Sequence, residues 1–142
     1  MPQEEKVIKT AQLEIRILPN NIHIYKLTDW SEAGLNQWEE SVTQRLDEAS
    51  ERILSIYDMR HLSTISRQGF ATVTRIGNHP KVELAFSAAV ISSRRMSILV
   101  NTLIQMRRNN QNNRIFSDMD DAIAWVTSKT KATLEMKAYR PK

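Results

Sequence analysis

Read for the spacing of its apolar residues, the chain divides into segments of period two and segments of period three to four. Gln12 to Leu18 and Ile22 to Leu27 alternate apolar and polar side chains around Pro19, Asn20 and Asn21, which predicts a β-hairpin closed by turn-forming residues. Leu35, Trp38, Val42, Leu46 and Ala49 then recur at helical spacing behind the capping pair Asp29 and Glu32. Ile53 to Asp58 is a short, mostly apolar run of the kind found in strands buried on both faces, followed by a polar turn, Met59 to Ser63. A second helix, Ser66 to Ile76, is expected to bury Phe70, Val73 and Ile76, and Gly77, Asn78, His79 and Pro80 stop it.

Val82 to Ile91 is the most continuous apolar stretch and is expected as a strand at the centre of a sheet. Ser92 or Ser93 can cap a third helix whose Met96, Leu99, Val100, Leu103 and Ile104 form one apolar stripe, ended by Asn109 to Asn113. Arg114, Ile115 and Phe116 read as a last strand. Ser117, Asp118, Asp120 and Asp121 then open a fourth helix, expected to fade near Ser128. The order β-β-α-β-α-β-α-β-α predicts a single α/β domain: a mostly parallel mixed sheet with an N-terminal hairpin and helices covering it. Residues 1–11 read as a polar leader, residues 12–128 as the domain, and residues 129–142 as a basic tail, frayed helix or disordered arm.

Composition narrows the chemistry. The chain of 142 residues contains no cysteine, which removes disulfides, thiolate nucleophiles and Cys-based metal sites. His23, His61 and His79 are scattered with no metal-ligand spacing, and Gly34, Gly69 and Gly77 are isolated, so neither a P-loop nor a dinucleotide fingerprint can be assembled. Asp58, His61 and Ser63 lack a nucleophile elbow. The expectation is a binding protein without catalysis, cofactor or metal. Trp38 and Trp125 are expected in the core, Trp30 as a hydrophobic staple, and Met96 and Met106 as core filler. The opening Met-Pro-Gln-Glu-Glu-Lys is not a signal peptide, and no apolar stretch is long enough to span a bilayer, so the cytoplasm is the expected compartment.

The net charge of +4 hides an uneven distribution. Residues 1–51 are acidic on balance, whereas residues 52–114 carry ten Arg and Lys against only Asp58 and Glu83. Such a bias marks nucleic acid, anionic lipid or phosphorylated partners, or else a solvated face balanced by acidic helices.

The run from Asp58 through Arg60, His61, Ser63 and Ser66 to Gly69 follows a buried strand and opens a helix. In this, and in its element order from residue 12 to 128, the chain resembles STAS domains, the anti-sigma-factor-antagonist or SpoIIAA-like superfamily. The ending from Arg114 to Val126 resembles the last strand and helix of its short members. The resemblance implies a regulatory domain that binds a protein partner or a small anionic or lipid-like ligand. The family's Asp-Ser-Ser-Gly phosphoacceptor turn is altered: Ser66 stands at the Asp, Arg67 at the phosphoacceptor and Gln68 at the second Ser, so a phosphate arriving on something else is favoured. Ser63, Thr64 and Ser66 remain candidates for modification.

Two helix starts would share one edge of a parallel sheet: Arg60, His61, Ser63, Ser66 and Arg67 at the first, Ser92, Ser93, Arg94 and Arg95 at the second. An anion or phosphorylated partner is expected there, held chiefly by Arg67 and Arg94. The alternative class is a basic surface for nucleic acid or an anionic membrane. A homodimer is expected through the exposed edge of the hairpin.

Overall fold

The computed structural model describes residues 5–138, with side chains for residues 5–130. Six strands form one mixed sheet in chain order: β1 (Lys6–Lys9), β2 (Leu13–Ile17), β3 (Ile22–Leu27), β4 (Ile53–Asp58), β5 (Ala85–Val90) and β6 (Asn113–Phe116). The pairs β1/β2 and β2/β3 are antiparallel, and β3/β4, β4/β5 and β5/β6 are parallel. Four helices complete the domain: α1 (Glu32–Glu48), α2 (Arg67–Gly77), α3 (Arg94–Gln105) and α4 (Met119–Ala138). No helix among the described residues is long and apolar enough to cross a membrane.

The two faces of the sheet follow from the period-two alternation. Leu13, Ile15, Tyr25, Leu27, Ile53, Tyr57, Ala85 and Ala89 meet the stripes of α1, α2 and α3, with Trp38, Leu46, Ile76 and Met96 buried between the layers. Ile22, Ile24, Leu54, Ile56, Ala88 and Val90 point the other way, against Ala122 and Val126 of α4. All six residues of β4 are buried, as a parallel strand covered on both faces requires.

Several expectations need correction. The polar leader contains β1, which takes the outer edge of the hairpin, so the edge expected to stay open for a second copy is occupied within the chain. Its four residues, Lys-Val-Ile-Lys, are too few for a periodicity to register. The apolar stretch from Val82 begins as a 3-10 turn, Val82–Leu84, held because Asn109 Nδ2 donates to both Val82 O (3.0 Å) and Ala85 O (3.1 Å). β5 is interior but one strand from the β6 edge, and β3 and β4 are the central pair.

The fourth helix continues through the expected basic tail to Ala138, because no Gly or Pro interrupts residues 129–138; residues 139–142 lie outside the described residues. Met106 is 73% exposed, since α3 ends at Gln105 and its stripe ends with it. Trp30 also reaches beyond α1. Its Nε1–H donates to Thr64 O (2.6 Å), and its ring lies over Gly69, where an added Cβ would stand 2.8 Å from Trp30 Cε3. Asn21, at φ 62°, supplies the left-handed residue of the hairpin turn.

Candidate functional site

Because β4 and β5 are parallel and in register from Ile53↔Ala85 to Asp58↔Val90, the loops that follow them leave the same edge of the sheet. They are also fastened together: Met59 N–H donates to Val90 O (2.9 Å), and Ser92 Oγ–H donates to Arg60 O (2.6 Å). The two predicted helix starts are therefore neighbours, as the sequence led one to expect.

Most of the predicted side chains there are already engaged. Ser66 and Ser93 are N-caps, accepting from Gly69 N–H (3.0 Å) and Met96 N–H (3.1 Å). Arg60 forms a fork on Asp58, with Nε to Oδ1 at 3.0 Å and Nη2 to Oδ2 at 2.9 Å. Burial works to raise the Asp58 pKa, but the hydrogen bonds and charge of Arg60 outweigh it and hold the carboxyl below its ordinary value. His61 Nε2–H donates to Leu27 O, tying this loop to the end of β3. Ser63 is exposed. The acids at this edge are occupied too: Asp29 Oδ1 accepts from Ser31 N–H (2.9 Å), and Asp118 Oδ2 from Asp121 N–H (3.0 Å). His23 and His79 lie elsewhere, the latter 2.7 Å from Asp47.

The basic middle of the chain resolves residue by residue. Arg60, Arg75 and Arg108 are ion-paired with Asp58, Glu39 and Glu83. Arg52 and Arg114 lie over the rings of Phe86 and Phe116. Lys81 donates to the carbonyls of Asp47 and Ala49 at the end of α1. Arg107 turns inward, donating to Val73 O at 3.4 Å. What remains is Arg67, Arg94 and Arg95, exposed and without an ion-pair partner among the described residues, and all three stand at the shared edge.

Their position on the helices is unusual. Arg67 is the first residue of α2, Arg94 and Arg95 the first two of α3, and neither helix has an acid in its first turn. α1 and α4 follow the opposite and electrostatically preferred rule, with Glu32 in one first turn and Asp120 and Asp121 in the other.

Beneath this edge, between α2, α3 and the sheet, lies a narrow cavity of about 40 Å³. Trp30, Met59 and Ile65 wall it at the edge loops, and Arg107 contributes from beyond α3. Sequence reasoning missed Arg107. The spacing of Met96, Val100, Leu103 and Arg107 by four, three and four is only a weak pointer, because α3 ends at Gln105 and Arg107 lies beyond it.

No family model matches the chain, and no curated protein matches it.

Proposed function

We propose that this chain is a non-catalytic, STAS-like binding module that docks a phosphate- or carboxylate-bearing protein partner at the carboxyl edge of its sheet, through Arg67 and Arg94. One observation carries this reading: of the four α-helices, α2 and α3 alone begin with arginine and no acid, side by side and with those arginines unpaired among the described residues. A cation at the positive end of a helix dipole is locally unfavourable, and an incoming anion relieves both the dipole and the guanidinium. Arginine suits the role because its planar fork meets two oxygens at once. The SpoIIAA-like affinity is supported by Asp58 ending β4 and by the turn that runs to Gly69 in α2.

Co-purification from native lysate, comparing the unaltered chain with an Arg67→Ala, Arg94→Ala double variant, tests it. A partner recovered by the first and lost by the second is the expected result; equal recovery, or recovery of nothing, overturns it. A nucleic-acid or membrane surface is disfavoured because seven of the ten basic residues between 52 and 114 are engaged within the fold. Self-association, if the chain uses it, belongs to β1, where Val7 and Ile8 are 56% and 53% exposed on a strand paired on one side only. Sedimentation as a monomer at micromolar concentration would exclude it.

A further inference from the structure

The cavity between α2 and α3 holds hydrogen-bond donors among largely apolar walls, with Asn113 and Arg114 of β6 also on its lining. Val73 of α2, Val100 and Leu103 of α3, and the ring of Tyr57 on β4 form its walls. Two further wall residues, Trp38 and Ser87, are 2% and 3% exposed, and the indole Nε1 and hydroxyl Oγ are buried with no hydrogen-bond partner. Buried polar atoms are almost always paired, so two such atoms in one cavity call for an explanation.

A further polar group on the wall is Arg107. Its stem crosses α2 at Gly77, where an added Cβ would stand 3.2 Å from Arg107 Cγ and Nε, so the missing side chain leaves the path open. Among the described residues no carboxylate pairs with it, and the one hydrogen bond of its guanidinium is to Val73 O. Burial pulls its pKa below the ordinary arginine value, with Tyr57 acting in the opposite direction. An indole N–H and a guanidinium donate only, and a serine hydroxyl donates or accepts. The complementary guest is therefore an acceptor with a negative charge. The cavity has room for about two or three waters, so that guest is small, and the aliphatic walls favour a hydrocarbon end.

We infer that this cavity binds a short-chain monocarboxylate, its carboxylate held by Arg107 and its hydrocarbon part packed against Val73, Val100 and Leu103. The site is separate from the partner-docking edge and does not depend on it.

Thermal unfolding of the full chain in propionate and butyrate tests the assignment, with chloride and propionamide at equal concentration as controls. Propionate at ten times its Kd is expected to raise Tm by about 3–6 °C, in a saturable manner. The controls leave Tm unchanged, and Arg107→Met abolishes the response while the Arg67→Ala, Arg94→Ala variant keeps it. An unmoved Tm in propionate, an equal rise in chloride or propionamide, or a rise that survives in Arg107→Met overturns the inference. Should Met at this position prevent folding, Arg107→Gln, neutral and still polar, gives the same reading.

Discussion

The arginines of the carboxyl edge and the arginine of the α2–α3 cavity lack carboxylate partners among the described residues, for different physical reasons. At the edge Arg67, Arg94 and Arg95 are exposed, where water solvates a guanidinium at little cost, so the absence of a partner means little by itself. Their meaning comes from arrangement, because they stand at the positive ends of two adjacent helices. In the cavity the reverse holds. A half-buried guanidinium that shares a cavity with two unpaired buried polar atoms is costly wherever it occurs, and its meaning comes from burial and missing partners together. A surface site is thus recognised by pattern and a buried site by its energetic debt.

Mutations can sharpen this contrast. The largest effect belongs to the cavity wall: Leu103→Ala, at a position 6% exposed, should cost about 2–5 kcal/mol of stability in denaturant titration, whereas no single edge arginine should cost a tenth of that. Next comes a gain. With no ligand present, Arg107→Met should raise stability by about 1 kcal/mol, because it removes a half-buried charge and keeps the aliphatic stem; a loss of that size would mean that the guanidinium is well satisfied in the folded chain.

At the edge, Ser66→Ala and Ser93→Ala should each cost about 1 kcal/mol, the usual worth of an N-cap, and their costs should add if the helix starts are energetically independent. A smaller loss should appear in acid. Asp58 titrates below its ordinary value in the folded chain, so its contribution is fully present above the unfolded carboxylate pKa and fades as pH falls through the folded one, from about pH 4 downward. Arg60→Met should flatten that part of the stability profile, measured by urea unfolding at successive pH values. Smallest of all, the Arg67→Ala, Arg94→Ala pair should change stability by no more than about 0.5 kcal/mol while abolishing partner capture.

The edge was legible in the sequence and the cavity was not, and the reason is local against nonlocal information. Asp58, Ser66 and Ser93 announce a strand end and two caps through neighbours a few residues away, and the parallel crossover rule puts both loops on one edge. β4 was readable to the residue because burial on both faces writes a continuous apolar run. Arg107 stands just past the end of α3, and only the approach of α2 at Gly77 turns it into a half-buried wall residue. The same limit hid β1, whose strand character comes from the open edge of β2 and from little in its own four residues. It also hid the 3-10 turn at Val82, which depends on an asparagine 27 positions further on.

Strand order carries a consequence for synthesis. Each strand pairs with the one made immediately before it, so the sheet can grow from β1 to β6 as the chain leaves the ribosome, with no strand waiting for a later neighbour. The helix layers do not keep the same schedule. α1, α2 and α3 are delivered between strands, whereas α4, the cover for Ile22, Ile24, Leu54, Ile56, Ala88 and Val90, is translated after all six strands. Once α3 is made, the nascent domain therefore presents a covered interior on one side and a bare apolar sheet on the other, a surface for chaperones to hold until α4 arrives.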